Sequence, residues 1–272
     1  MKETINKLRQ QCLEMKLKAL EMAKSTSFGA HIGGGFSAME IMTSLYEVAN
    51  IPTMMDESRD RIIISKGHCV LAYYTALWKK GYITEDELNT FETDGTQFHG
   101  HPHRNLKKGI EFSGGSLGLG LSYAVGVAKA CKMKGLNNTI YVLIGDGEMD
   151  EGIVWESLMA IVHFKLDNIV IIVDKNGYQL DGPTDEIMGL NSIEGKLVAF
   201  GFDVDVVNGH DIDELMLVLP KKTGKPRAIV ANTVKANGIS FLENNKVSHQ
   251  CVLTKKKYEQ AVEEIRSAYN GE

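Results

Sequence analysis

The 272-residue chain lacks any run of 18 apolar residues and any recognisable secretory leader, so the reading is a soluble, cytoplasmic protein without a membrane partner. Cysteine is scarce. Cys12, Cys69, Cys131 and Cys251 stand far apart with no paired spacing, which excludes a disulfide framework and fits reduced thiols. There is no excess of basic residues either: 30 Lys and Arg against 35 Asp and Glu leave a net charge of −5. The longest basic run is Lys255-Lys256-Lys257, a solvated helix start, and a nucleic-acid-binding surface is not expected. Internal repeats and low-complexity linkers are missing, and residues 1–272 are expected to form a single domain.

Two nucleotide motifs are also missing. The dinucleotide fingerprint fails at Gly145-Asp146-Gly147, where Asp150 takes the place of the third glycine, and at Gly118-Leu119-Gly120, where Tyr123 does. No GxxxxGK[ST] run exists, so a phosphate-loop nucleotidase is excluded.

What is present is an alternation of apolar runs and helical periodicities. Ile62–Ile64, Tyr141–Ile144, Ile169–Val173, Phe202–Val207 and Ala228–Val234 read as strands. Ile5, Leu8, Cys12, Met15, Ala19 and Met22 fall on one helical face. Val154, Leu158, Ile161, Val162 and Leu166 do the same between the second and third strands, making a strand-helix-strand crossover with parallel strands. Ser37 and Glu40 have capping-box spacing, as do Thr84 and Glu87. The expected class is α/β: a doubly wound, mainly parallel sheet with helices on both faces.

In such sheets ligands bind past the carboxyl ends of the strands. Asp146, between Gly145 and Gly147, ends one strand, and Asn176 ends the next. Oxygen ligands so placed suit a hard cation and a diphosphate. The plainer alternative is that both residues only make turns. Strand-end and loop positions also collect His31 (in a glycine-rich loop, Ser25–Gly35), His68, His99, His101, His103 and His249. His99, His101 and His103 alternate along an extended segment, which would put three imidazoles on one face. A zinc-dependent hydrolase is therefore an alternative reading.

Taken together, these segments resemble the N-terminal part of transketolase over nearly the whole chain. Gly145-Asp146-Gly147 with Asn176 resembles the thiamine diphosphate motif. Ala30-His31-Ile32-Gly33, Ser65-Lys66-Gly67-His68, Gly100-His101-Pro102, Gly114-Gly115-Ser116-Leu117-Gly118 and Gly238-Ile239-Ser240-Phe241 leading to His249 are similar to the family's active-site loops, in the same order. The resemblance implies the thiamine diphosphate-binding fold. It also implies that Asp146, Asn176 and the Tyr178 carbonyl hold Mg2+, or Ca2+ in its place. Gly145, Gly147, His68, His249 and the turn Gly115-Ser116-Leu117 would bind the cofactor, and Glu151 would help link two cofactor sites. His31, His68, His101 and His249 would be catalytic. The implied activity passes a two-carbon ketol unit from a ketose phosphate to an aldose phosphate.

A full-length transketolase is more than twice as long, and its second part supplies a glutamate for which this sequence offers no second α/β domain. The expectation is one subunit of a split enzyme, paired with a separate C-terminal subunit in a two-plus-two heterotetramer. A scaffold that kept the fold without catalysis is the remaining alternative. Ser116, Ala30 and Ser248 depart from the family pattern and would tune the acceptor pocket toward a branched or otherwise modified sugar phosphate.

Overall fold

A computed structural model describes residues 2–270. Its centre is one parallel sheet of five strands: β1 (Arg61–Ile64), β2 (Ile140–Gly145), β3 (Ile169–Lys175), β4 (Asp203–Asn208) and β5 (Arg227–Asn232). The strand order is β1-β2-β3-β5-β4, and every neighbouring pair is parallel. The inner strands are nearly continuous apolar runs because both of their faces are covered.

Alternate side chains feed two separate cores, as the pleat of a strand requires. Ile62, Leu143, Val170, Ile172 and Ile229 join the helices Lys2–Ser25, Met39–Val48, Val70–Lys79 and Ile212–Val218 on one face. Ile63, Val142, Ile144, Ile171, Val173 and Val230 join Leu119–Met133, Gly152–His163 and Ile193–Phe200 on the other. The chain returns inward from β4 to β5, opposite to the sense of β1 to β3. A right-handed crossover then places its helix, Ile212–Val218, on the other face from the helix between β2 and β3. Among the described residues no helix is long and apolar enough to cross a membrane.

Two local expectations need correction. Ser37 and Glu40 do not form a capping box: the helix starts at Met39 after Ala38, without a side-chain cap. Ser37 Oγ instead donates to Asp174 (2.6 Å), and buried Glu40 accepts from the Lys16 ammonium (2.6 Å) and pairs with His210 (2.9 Å). Long-range partners for buried polar groups outweigh a surface cap. The glycine run is not a loop either, since Ile32–Phe36 is a short helix with His31 just before it. Packing makes the glycines necessary: a Cβ on Gly33 would lie 2.6 Å from Ser248 Oγ, and one on Gly35 would lie 3.0 Å from Leu71 Cβ.

Candidate active site

The carboxyl ends of β1, β2 and β3 and the loops beyond them form one pocket of about 240 Å³, lined by Lys66, His68, Leu117, Asp146, Asn176, Lys235 and His249 among others. Its floor is a buried polar knot. Asp174, one residue before the end of β3 and fully buried, accepts from Ser37, Lys66 and Thr233. It thereby ties β3 to the loop after β1, to the turn after the glycine helix and to the segment after β5. Burial opposes ionisation of both partners, but their mutual attraction prevails: the Asp174 carboxyl is held below its ordinary value and the Lys66 ammonium above its own.

Above the knot lies Asp146. Its Oδ1 accepts from the Gly147 amide (2.9 Å) and its Oδ2 from the Gly177 amide (2.7 Å), so one carboxylate bridges the ends of adjacent strands. Asn176 Oδ1 accepts from the Tyr178 amide (3.1 Å), while Lys235 Nζ reaches the carbonyls of Gln179 (2.9 Å) and Tyr178 (3.5 Å). Asp146 is 4% exposed and Asn176 7%. Burial, reinforced by the charge of Asp174, pushes the Asp146 carboxyl up to about 6. Among the described residues no cation pairs directly with it. A buried carboxylate beside an amide oxygen and a backbone carbonyl is a hard-oxygen donor set, which fits a magnesium-sized cation better than a soft metal.

The opposite wall is a nest of imidazoles. Ring centroids of His31 and His68 lie 4.9 Å apart, His31 and His101 5.0 Å, His68 and His101 4.9 Å, and His68 and His249 4.9 Å. The antiparallel bridge between Ala30 and Cys251 (3.0 and 3.1 Å) brings His31 and His249 together from distant parts of the chain. Burial pushes all four imidazoles down: His31 and His249 to about 4, His68 to about 3, and His101 in the same direction. Mutual repulsion adds to this for His31 and His68, and Lys235 and Lys66 add to it for His249. At neutral pH the nest is uncharged and can accept protons.

A zinc site built from His99, His101 and His103 does not survive this geometry. His101 turns inward toward His31 and His68, whereas His99 and His103 stack with each other outside (4.8 Å between centroids), so the three do not share a face. The loop bends because three anchors hold it: Tyr74 donates to the His99 carbonyl (3.1 Å), the Gly100 amide donates to Glu92, and the Gly114 amide donates to the Pro102 carbonyl (2.9 Å).

The remaining expected residues fall around the pocket. Gly145, Gly147 and Leu117 line it, and Gly115 packs against the His101 ring. Ser116 is exposed at the turn, and Glu151 lies on the surface outside the pocket. Three charged residues of the pocket were not among the expected site residues: Lys66, Lys235 and Glu148. The position of Lys66 directly after a strand could have revealed it. The buried Glu148 carboxylate accepts from Ser65 and from the amides of Gly118 (2.7 Å) and Gly145 (3.1 Å), and so fixes the glycine turn against β2. A larger cleft of about 620 Å³ lies at the opposite end of the sheet, beside Tyr141, Val170 and Arg227. Its cations Lys132 and Lys221 are already paired with Asp167 and Asp205.

The class defined by fold and site is an α/β protein whose pocket at the carboxyl ends of parallel strands sets a buried carboxylate and two lysines beside neutral histidines. Residues 2–270 match the family described as transketolase, thiamine diphosphate binding domain, and the chain belongs to that family. It is 39% identical over 264 residues to an apulose-4-phosphate transketolase subunit of Actinobacillus succinogenes, covering 93% of this chain and 96% of that one. It is 40% identical over 241 residues to the 6-deoxy-6-sulfo-D-fructose transketolase subunit SqwG of a Clostridium species, covering 86% and 88%. The solved transketolase of Campylobacter jejuni superposes with a TM-score of 0.86 at 28% identity, covering 95% of this chain but 42% of that one. Human transketolase is 31% identical, with 42% of its length matched.

Proposed function

We propose that this chain is the thiamine diphosphate-binding subunit of a split transketolase, and that residues 1–272 form one diphosphate-binding domain working with a separate C-terminal subunit in a two-plus-two heterotetramer in the cytoplasm. The observation that carries the reading is that the Asp146 bridge shares one pocket with His68 and His249, the members of the histidine nest that line it. Two relatives that match over most of their length are themselves named as subunits of transketolases, which supports the split arrangement.

In this reading Asp146, Asn176 and the Tyr178 carbonyl would hold Mg2+, with Ca2+ as a substitute, and the cation would supply positive charge for a diphosphate. Gly147, His68, His249 and the Gly115-Ser116-Leu117 turn contact the cofactor, while Lys66 and Lys235 supply positive charge near its diphosphate. Exposed Glu151 helps join two cofactor sites across the assembly. Thiamine diphosphate, when bound, supplies the carbanion chemistry that the protein's own side chains lack. His31, His68, His101 and His249 take protons from sugar hydroxyls and return them, work suited to imidazoles that are neutral at the operating pH. The substrates are a ketose phosphate donor and an aldose phosphate acceptor. The relatives named for apulose-4-phosphate and for a sulfo-sugar favour a branched or modified sugar over the common pentose phosphates.

The test is titration of the chain with thiamine diphosphate and Mg2+, with and without its C-terminal partner chain. Saturable binding and ketol transfer in the assembled pair are expected. No saturable binding even in the pair would refute the proposal.

A further inference from the structure

The loop that presents His101 is closed by a residue in an unfavourable backbone conformation. Glu92 has φ 55°, in the left-handed region that costs a non-glycine residue energy and persists where the surroundings impose it. Its own amide donates to the Phe98 carbonyl (3.0 Å), and its carboxylate accepts from the Gly100 amide. Gly100 is wedged between this carboxylate and the nest: a Cβ there would lie 2.8 Å from Glu92 Oε1 and 3.8 Å from His31 Nδ1. The next residue is His101. Of the three anchors on this loop, the Tyr74 hydroxyl, the Gly114 amide and Glu92, only the last is charged.

We propose that Glu92 is a positioning residue for His101: its carboxylate closes the 92–100 loop on the Gly100 amide and stands as the counter-charge beside this one imidazole of the nest. The titratable groups around His101 are His31, His68 and His249 from the nest, His103 from its own loop, and Glu92. Burial pushes His101 down, Glu92 opposes that, and His103 adds to it by less. His31 and His68 meet chiefly other imidazoles. On His249 the cations Lys235 and Lys66 outweigh the carboxylate of Asp181. The nest is thus electrostatically graded, with His101 the member whose foremost charged neighbour is an anion.

The primary experiment needs neither cofactor nor partner: NMR titration of the histidine ring protons in the isolated chain, wild type against Glu92→Gln. The amide oxygen of Gln can still accept from Gly100, so the loop is kept while the charge is lost. The expected result is a downward shift of the His101 midpoint, larger than any shift of its neighbours in the nest. Glu92→Gly, which suits the left-handed backbone but frees the Gly100 amide as well as removing the charge, should also move the His101 midpoint, and keeps the test decisive if Gln disturbs the loop. A His101 midpoint unmoved in both variants overturns the proposal. A second arm rests on the transketolase reading: in the assembled enzyme Glu92→Gln should lower kcat/KM for the sugar roughly tenfold, with thiamine diphosphate affinity unchanged. An unchanged kcat/KM would overturn the link to turnover while leaving the NMR result standing, so the two readings fail separately.

Discussion

Asp146→Asn should make the cofactor-free chain more stable while removing its grip on the metal. The Asp146 carboxyl is raised from 3.8 to about 6 by a burial that leaves it 4% exposed, and this corresponds to about 3 kcal/mol of penalty on the ionised form at neutral pH. The sign follows from the raised value. The folded state binds this proton more tightly than the unfolded state, so the group's full contribution to stability is present below pH 3.8 and is lost as pH rises through about 6. Asparagine removes the charge but keeps only one acceptor oxygen for the two amides of Gly147 and Gly177, and losing one of those hydrogen bonds costs about 1 kcal/mol. The net expectation is a gain of roughly 1 to 2 kcal/mol at pH 7.5, or about 2 to 6 °C in Tm for a chain of this size. The depressed histidines act in the opposite direction, since proteins with His31, His68 and His249 held neutral lose stability as pH falls below 6.5. They are common to both proteins and cancel in the difference. The assay is urea and thermal unfolding of both proteins without metal or cofactor between pH 4 and 8, followed by calorimetric titration with Mg2+ and thiamine diphosphate in the assembled pair. A variant less stable than wild type at pH 7.5, or a stability difference that does not change with pH, would refute the electrostatic account. Unchanged cofactor affinity would refute the metal assignment.

Lys66→Met removes the cation from the buried pair and leaves Asp174 with only Ser37 and Thr233, so unfolding measurements should show a loss of about 3 kcal/mol or more; a loss under about 1 kcal/mol would mean that the hydroxyls alone satisfy the carboxylate. His101→Ala should depress turnover of the assembled enzyme about 100-fold while leaving thiamine diphosphate affinity within about twofold, as expected of a proton-handling side chain. The reverse pattern, weakened cofactor binding with preserved turnover, would move this residue to the cofactor side.

The fold was legible because β2 and β3 are unbroken apolar runs, and because the helix between them carries its periodicity in plain view. Asp146 and Asn176 were legible for a related reason: both sit directly past such a run, where a parallel sheet binds ligands. What could not be read was set by partners far along the chain. Glu40 stands three residues after Ser37, as a capping pair would, yet its partners are Lys16 and His210, and local spacing holds no trace of either. Gly33, Gly34 and Gly35 read as a loop breaker, but their helix is imposed by the close approach of Ser248, His68 and Leu71. Alternation along an extended segment placed His99, His101 and His103 on one face; three unrelated anchors turned His101 the other way. Lys235 looks like any solvated lysine until the sheet is assembled, whereas Lys66 at least stands just past a strand. Nothing near Glu92 in sequence announces its role.

The knot beneath the pocket also bears on how such a site can change over generations. Asp174 satisfies its charge through Ser37, Lys66 and Thr233, which come from three different loops. Ser37 and Lys66 are buried and Thr233 is half-buried, and none of the three can be exchanged alone without taking a partner from a carboxylate sealed away from water. The loops above are therefore freest to change at exposed positions such as Ser116. The roots stay locked together, so exposed turn residues can change one at a time while the carboxylate and its three partners must change as a set.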